Sequence, residues 1–348
     1  MIMKQGTGKT ALVTGAGSGI GQELAKLFAQ DGFNLVLVDH NEEPLHRLAE
    51  VFESNYGTET VTVINKDLAR EDVAIELYEE VKAKGITVNI LVNNAGISTY
   101  GKFATETNWE REKEVVHLNV LTTTLLTKLF LNDMVARNEG RILQLASMVS
   151  ITPFPLMAVY AATKAYVWSL TQSLRNELKD TNVTVTALMP NATATNFFRE
   201  ADAPKLNVEG MLDDPAMVAR DGYKALMKGE AKVVPGGLAN KAQEVMAYLS
   251  PQEALAGMMR WLLTPKHESD RSDDKTPNWA IGLGVVAAAV AGYALVSAYN
   301  NLGPVDKMRY RYKAKSLGNS ANNALSSVAD SVLGAYHNGK AKVEEALA

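Results

Sequence analysis

Tyr160 and Lys164 stand four residues apart, so on a helix the phenol and the ammonium share one face. That pairing suits proton transfer to or from an alcohol oxygen. A phenol ordinarily titrates near ~10, and a cation one turn away favours the phenolate. Ser147, 13 residues upstream of Tyr160, offers a hydroxyl to orient the same oxygen. Far earlier, Thr14-Gly15-Ala16-Gly17-Ser18-Gly19-Ile20-Gly21 sets four glycines where a strand-like run gives way to a helical one. Backbone amides reach a pyrophosphate only where side chains do not intervene, and a helix N-terminus favours the anion. Together the two stretches imply hydride exchange between a nicotinamide and a carbonyl or hydroxyl group.

Tyr-x-x-x-Lys alone is weak. With 12 Tyr in the chain it is expected about once by chance, and it occurs at Tyr78/Lys82, Tyr160/Lys164 and Tyr336/Lys340. The first lies in the charged stretch 76–84 and reads as a solvated helix face. The last lies in a polar tail and is interrupted by Gly339. Only Tyr160 follows a strand-like run, Arg141-Ile-Leu-Gln-Leu-Ala146, that ends at Ser147.

The elements that must position these groups are legible in the hydrophobic pattern. Strand-like runs at 9–13, 34–38, 60–64, 90–92, 141–146 and 183–188 alternate with helical stretches at 22–31, 42–55, 71–84, 108–138 and 158–179. Aliphatic runs of this kind, alternating with helices, describe an α/β fold with a doubly wound parallel sheet. Residues 231–234 supply a further edge strand, and 238–263 is a helical appendage broken at Ser250-Pro251. The expected organisation is a domain over 1–235, a helical extension over 236–265, a linker over 266–278, a transmembrane or membrane-associated helix over 279–299 and a polar tail over 300–348.

The glycine spacing is specific. Gly-x-Gly-x-x-Gly fails from either Gly15 or Gly17; Gly15-x-x-x-Gly19-x-Gly21 fits. Asp39 ends the second strand, 18 residues after Gly21. A carboxylate there accepts from both ribose hydroxyls of NAD and repels a 2′-phosphate. His40 and Asn41 add no arginine to attract one, so NAD is expected over NADP. Gly6-Thr7-Gly8-Lys9-Thr10 imitates the end of a P-loop but has Met3 where that motif needs its first glycine.

Composition narrows the classes. A net charge of −4 gives no basic field for nucleic acid. The chain has no cysteine, so disulfides, thiolate metal sites and cysteine nucleophiles are excluded. Five scattered histidines have no metal-ligand spacing, and no metal is expected. The N-terminus lacks the apolar core of a signal peptide, so a cytoplasmic enzyme domain is expected.

From about residue 8 to 235 the chain resembles the short-chain dehydrogenase/reductases of the NAD(P)-binding Rossmann type, and within them a general bacterial-like subgroup. Five motifs carry the resemblance in order: the Thr14–Gly21 turn, Asp67-Leu68, Asn93-Asn94-Ala95-Gly96, Asn119, and Ser147 with Tyr160 and Lys164. The resemblance implies that Asp67 accepts from the adenine amino group and that the turn from Asn93 through Ala95 and Gly96 supports the adenosine side. Tyr160 is then the general acid/base, and Lys164 holds the nicotinamide ribose. Ser147 orients the substrate oxygen, and Asn119 holds a water that links Lys164 to solvent. The plain alternatives are a loop hydroxyl at Ser147, a helix kink at Asn119 and a surface charge at Lys164. One motif departs from the family: Pro190 is followed by Asn191 rather than glycine, with Thr193 and Thr195 beyond. Asn tolerates a left-handed backbone, and Thr195 is the better candidate for the nicotinamide carboxamide. Subgroup members often carry basic residues at the positions of Asp39-His40-Asn41, so no NADP preference is carried over. Dimers or tetramers are what the family implies.

Residues 148–157 and Asn196-Phe197-Phe198 are apolar, which favours a lipophilic alcohol or ketone as the small-molecule substrate; packing in a dimer or lid reads similarly. Residues 279–299 are 21 residues without a charge, long enough to cross ~30 Å of hydrocarbon at ~1.5 Å per residue. They read as a transmembrane or membrane-associated helix; a small-residue helix in a protein groove gives the same pattern. The alternative to an enzyme is a non-catalytic dinucleotide-binding module anchored to a membrane or an assembly.

Overall fold

Seven parallel strands form one sheet in the order β3-β2-β1-β4-β5-β6-β7. The computed structural model describes residues 5–206, 212–250 and 252–265. The strands are β1 Thr10–Thr14, β2 Asn34–Asp39, β3 Val61–Asn65, β4 Val88–Asn93, β5 Gly140–Leu145, β6 Val183–Leu188 and β7 Lys232–Val233. Between them run α1 Gly19–Gln30, α2 Glu42–Tyr56, α3 Val73–Ala83, α4 Trp109–Val116, α5 Thr123–Ala136, α6 Ala158–Glu177, the short α7 Phe197–Glu200 and α8 Pro215–Lys228. After β7 come α9 Leu238–Leu249 and α10 Gln252–Leu263. Residues 5–247 and 255–265 belong to one compact unit; 248–254 belong to a second.

The central strands are apolar on both sides because helices cover both faces. Ala11 and Val13 of β1 pack with Leu24 and Phe28 of α1, and with Val218 and Leu226 of α8. Leu12 points the other way, into a cluster with Leu77 of α3, Phe130 and Met134 of α5, and Leu178 beyond α6. Successive side chains on a strand face opposite ways, so adjacent residues of β1 supply two different cores.

Strand order reverses between β1 and β4, which pair in register at Val13 and Val92. At such a switch point, the connections leave in opposite directions and open a crevice at the carboxyl ends of the strands. The chemistry-bearing residues all leave from this end.

Three features differ from the sequence expectation. The helix expected over 108–138 is interrupted by a π-helical turn at His117–Thr122 that contains Asn119; such a turn marks local conflict with regular hydrogen bonding. Helix α1 starts at Gly19 rather than Gln22, because the glycine turn itself forms its first residues. Helix α8 was not expected, although its signals are present: Asp214 accepts from the Ala216 amide, Pro215 stands at the start, and Gly229 ends the helix with φ +67°. The linker 266–278, the uncharged run 279–299 and the tail 300–348 lie outside the described residues. Among the described residues no helix is long and apolar enough to cross a membrane.

Phe28 is fully buried and packs edge-on to Phe33 at 5.3 Å and to Tyr223 at 5.0 Å. Phe28→Ala is expected to lower unfolding free energy by about 3–5 kcal/mol, read as a reduced urea midpoint with unchanged slope.

Candidate active site

The crevice is a cavity of about 1020 Å³ at the carboxyl ends of the strands. Its floor is the glycine turn. Gly15 has φ +64°, and a Cβ there would lie 2.8 Å from the Asn94 amide nitrogen. A Cβ on Gly21 would meet the Gly15 carbonyl oxygen at 2.1 Å, so the helix packs directly on the turn. Gly19 has φ +54°, and a Cβ there would lie 2.9 Å from the Thr195 methyl. Ser18, the residue before α1, makes no side-chain bond to the first-turn amides. These donors stand at the end of the helix that favours negative charge.

Hydrogen bonds hold this floor to β4. Thr14 Oγ1 donates to Val92 O at 3.1 Å and accepts from the amides of Asn94 and Ala95 at 3.0 and 3.1 Å. Asn94 Nδ2 in turn donates to the carbonyls of Thr14 and Gly15 at 2.9 and 3.1 Å. Thr14, Gly17 and Gly21 therefore shape the turn from behind, whereas Gly15, Ser18, Gly19 and Ile20 line the cavity.

Asp39 lies at one end. Its carboxylate accepts from Gly17 N at 3.0 Å and Asn41 N at 3.1 Å, and His40 Nδ1 lies 3.1 Å from Oδ1. The two cations lining this end, Lys66 and Arg70, both pair with Glu76. Asp67 and Leu68 line the cavity beside them, with Asp67 Oδ1 accepting from Ala69 N at 2.9 Å.

Two expected residues lie elsewhere. Asn93 turns away: its Nδ2 donates to Thr127 Oγ1 and Gln144 Oε1 at 2.9 and 3.2 Å, inside the core. The neighbouring Asn94 faces the cavity with Ala95 and Gly96, because consecutive residues at a strand end face opposite sides. Asn119 does not line the cavity either. Its Oδ1 accepts from Ile97 N at 3.1 Å, and its Nδ2 donates to Ile97 O and Thr163 Oγ1 at 2.9 and 3.1 Å. The whole amide is thus committed to joining the segment after β4 to α6. The side-chain amide expected to hold a water is therefore occupied by protein partners.

Ser147, Tyr160 and Lys164 meet on one wall. The Ser147 hydroxyl lies close enough to the Tyr160 phenol to influence its titration, and the Lys164 nitrogen lies 5.7 Å from the centre of the Tyr160 ring. Ser147 N bonds the Ser150 hydroxyl at 3.1 Å, and that hydroxyl donates to Lys164 O at 2.9 Å, so the turn bearing Ser147 is tied to α6. Lys164 is buried and donates to Leu145 O at 2.8 Å. Burial lowers its pKa to about 8. Burial raises the Tyr160 pKa above the ordinary phenol value, and the Ser147 hydroxyl opposes that. Desolvation is the larger of these two influences on the phenol.

After β6, Pro190 O accepts from Met148 N at 3.0 Å and from Ser147 Oγ at 3.3 Å. Asn191 does not adopt the left-handed backbone expected of it. A Thr193 Oγ1 bond to Asn191 O and a Thr195 N bond to Thr193 O shape the turn instead. Pro190, Thr193 and Thr195 all line the cavity. Much of the remaining lining is apolar, from Phe154, Phe197 and Phe198 with Met259, Leu262 and Leu263 of α10, alongside charged Arg111, Glu114 and Glu200. The α10 residues carry no local motif, and only the packing brings them to the site.

The family model for short chain dehydrogenases matches residues 9–205, more than half of the chain. This chain belongs to that family. It is 32% identical over 190 residues to mouse 17-beta-hydroxysteroid dehydrogenase type 3, covering 54% of this chain and 61% of the relative. It is 32% identical over 198 residues to the very-long-chain 3-oxoacyl-CoA reductase of Anas platyrhynchos, covering 55% and 62%. The chain thus spans about three fifths of the length of these curated relatives. Among solved structures, the short-chain dehydrogenase of Sphingobium yanoikuyae in complex with NADPH superposes with TM-score 0.63 at 26% identity, covering 77% of this chain and all of that one. The bulky-bulky ketone specific alcohol dehydrogenase of Comamonas testosteroni gives 0.59 at 27%, covering 78% and 97%. A Burkholderia phymatum family member in complex with NAD gives 0.61 at 25%, covering 71% and 94%.

Because the Lys164 pKa is lowered on folding, the unfolded chain binds more protons between about pH 8 and 10.5. Stability must rise with pH across that window. Relative to Lys164→Met, the ligand-free wild type is expected to gain up to about 3 kcal/mol from pH 7 to above 10, measured as diverging urea midpoints.

Proposed function

We propose that the chain is an NAD-dependent alcohol dehydrogenase or carbonyl reductase that acts on a lipophilic, bulky alcohol or ketone. The observation that carries this reading is the convergence of the Tyr160 and Ser147 hydroxyls on the cavity whose floor is the glycine turn. A binding module has no need of the phenol.

The first-turn amides of α1, the carboxylate of Asp39 and the 190–195 segment fit a nicotinamide dinucleotide, which supplies or accepts the hydride when bound. Ser147 and Tyr160 hold the substrate oxygen by their hydroxyls. In carbonyl reduction Tyr160 gives its proton to that oxygen; in alcohol oxidation it takes the proton back. A raised phenol pKa keeps Tyr160 protonated at neutral pH, which suits the reductive direction. Lys164, one turn along α6, supports the anionic phenolate left behind and offers its ammonium to the nicotinamide ribose.

Two observations support a lipophilic substrate. The wall opposite the glycine turn is aromatic and aliphatic, and two of the relatives are named for steroid and very-long-chain acyl substrates. Asp39 supports NAD: its charge stands at the ribose end, and the nearby Lys66 and Arg70 are already paired. Membrane association through 279–299 rests on the uncharged run itself.

Tyr160→Phe is expected to cut turnover by about 10²–10⁴ while leaving the NADH dissociation constant within about twofold; unchanged turnover would remove the mechanism. NADH is expected to bind at least tenfold more tightly than NADPH, and Asp39→Ser to erase most of that preference. Fluorescence titration with both cofactors measures it, and tighter NADPH binding by the wild type contradicts the role given to Asp39.

A further inference from the structure

One corner of the cavity is not apolar. Asp213 and, from α9, Asn240 and Gln243 line it together. The Asp213 backbone pairs with the segment that follows β6: its amide donates to Ala192 O at 2.8 Å, and its carbonyl accepts from Ala194 N at 2.9 Å. Its position beside the substrate wall is therefore fixed by main chain. Its carboxylate is held as well. Asn240 Nδ2 donates to Asp213 Oδ2 at 3.2 Å and to Pro235 O at 2.8 Å, which locks the amide between the two.

This carboxylate is half-buried, and among the described residues the Asn240 amide is its only side-chain partner. Burial raises its pKa, opposed by the Asn240 bond. A partly desolvated carboxylate without a cation is costly unless something donates to it. Gln243 stands three residues after Asn240 on the same face of α9 and brings both an amide donor and an acceptor to the same corner. A group that donates to Asp213 and accepts from Gln243 satisfies both, and a hydroxyl does so. An ammonium could donate to both Asp213 and the Gln243 oxygen but would offer no acceptor to the Gln243 NH₂ group.

We propose that Asp213, positioned by Asn240 and flanked by Gln243, binds a second hydroxyl of the substrate, remote from the carbon that exchanges hydride. The substrate class is then a bulky lipophilic ketone or alcohol that carries another hydroxyl at its far end, with the apolar wall of Phe197, Met259 and Leu262 between the two polar ends. This rests on the reading of the cavity as a ketone/alcohol site. The same donor chemistry could come from the carboxamide NH₂ of the cofactor, and the test separates the two sources.

The full-length protein is assayed with NADH and pairs of steroid-sized ketones that differ only in a remote hydroxyl replaced by hydrogen. Preference is read as the KM ratio, and as the Kd ratio for NADH-saturated Tyr160→Phe protein. The wild type is expected to favour the hydroxylated member by about tenfold. Asp213→Ala should bring the ratio within twofold of unity and leave the NADH Kd within twofold. Gln243→Leu, which leaves the Asp213–Asn240 bond in place, should reduce the preference and provides the reading if Asp213→Ala does not fold. No preference in the wild type, a preference for an amine-bearing analogue, or an unchanged ratio in both variants overturns the proposal. So does a tenfold loss of NADH affinity in Asp213→Ala with the ratio intact, which assigns the carboxylate to the cofactor. Failure of the enzyme reading itself shows separately, as turnover that survives Tyr160→Phe.

Discussion

The site depends on how closely the backbone of the glycine turn is held against the end of β4. Four hydrogen bonds join Thr14 and Gly15 to Asn94 and Ala95 across the point where strand order reverses. They satisfy main-chain groups that would otherwise be stranded where β1 and β4 splay apart. With the Gly15 carbonyl clamped by Asn94 and Gly21 packed against it, α1 has one direction in which to leave the sheet. Its first-turn amides consequently face the cavity. Residues with no contact to that cavity (Thr14, Gly17, Gly21) set its geometry as firmly as those that line it.

Burial dominates the electrostatics on the opposite wall. Lys164 and Tyr160 are placed by one helix, and the same packing that aligns them strips water from both. Desolvation disfavours each charged form, pushing the lysine down and the phenol up. Charge on this wall is therefore unfavourable until another group shares it. The Leu145 carbonyl and the Ser147 hydroxyl are the partners already in place. In the proposed mechanism such a wall holds its proton at rest and yields it to an oxygen docked at the same point.

Most of the scaffold was legible in the sequence because it rests on local patterns. Aliphatic runs alternating with helical periodicity marked six strands and the 231–234 run the seventh, and the glycine spacing placed the start of α1 within a few residues. The choice of Tyr160 over Tyr78 was also local, and the structure supplies its reason. Tyr78 and Lys82 both bind Asp133, at 3.1 and 3.0 Å, and neither lines the cavity at the carboxyl ends of the strands. What was not legible depends on direction or on long-range packing. Nothing in Asn93-Asn94 says which of the two faces the cleft; that follows from where β4 ends. Helical periodicity at 108–138 cannot show one inserted residue that turns Asn119 toward Ile97.

The substrate side is the extreme case. The cofactor side is built from turns that follow consecutive strands, so its residues cluster in short motifs. The substrate side is assembled from Phe154, the 197–198 pair, Asp213, α9 and α10, segments that meet only after the chain has left the sheet. Each is individually bland: an aromatic, a carboxylate before a helix, an amide, a leucine near a chain break. Their meaning comes from juxtaposition alone. A carboxylate with one amide partner is unremarkable on a wetted surface, where water completes its hydrogen bonds. In the partly apolar wall of a cavity the same group has less access to water, and on the proposed reading a bound ligand supplies the further donor.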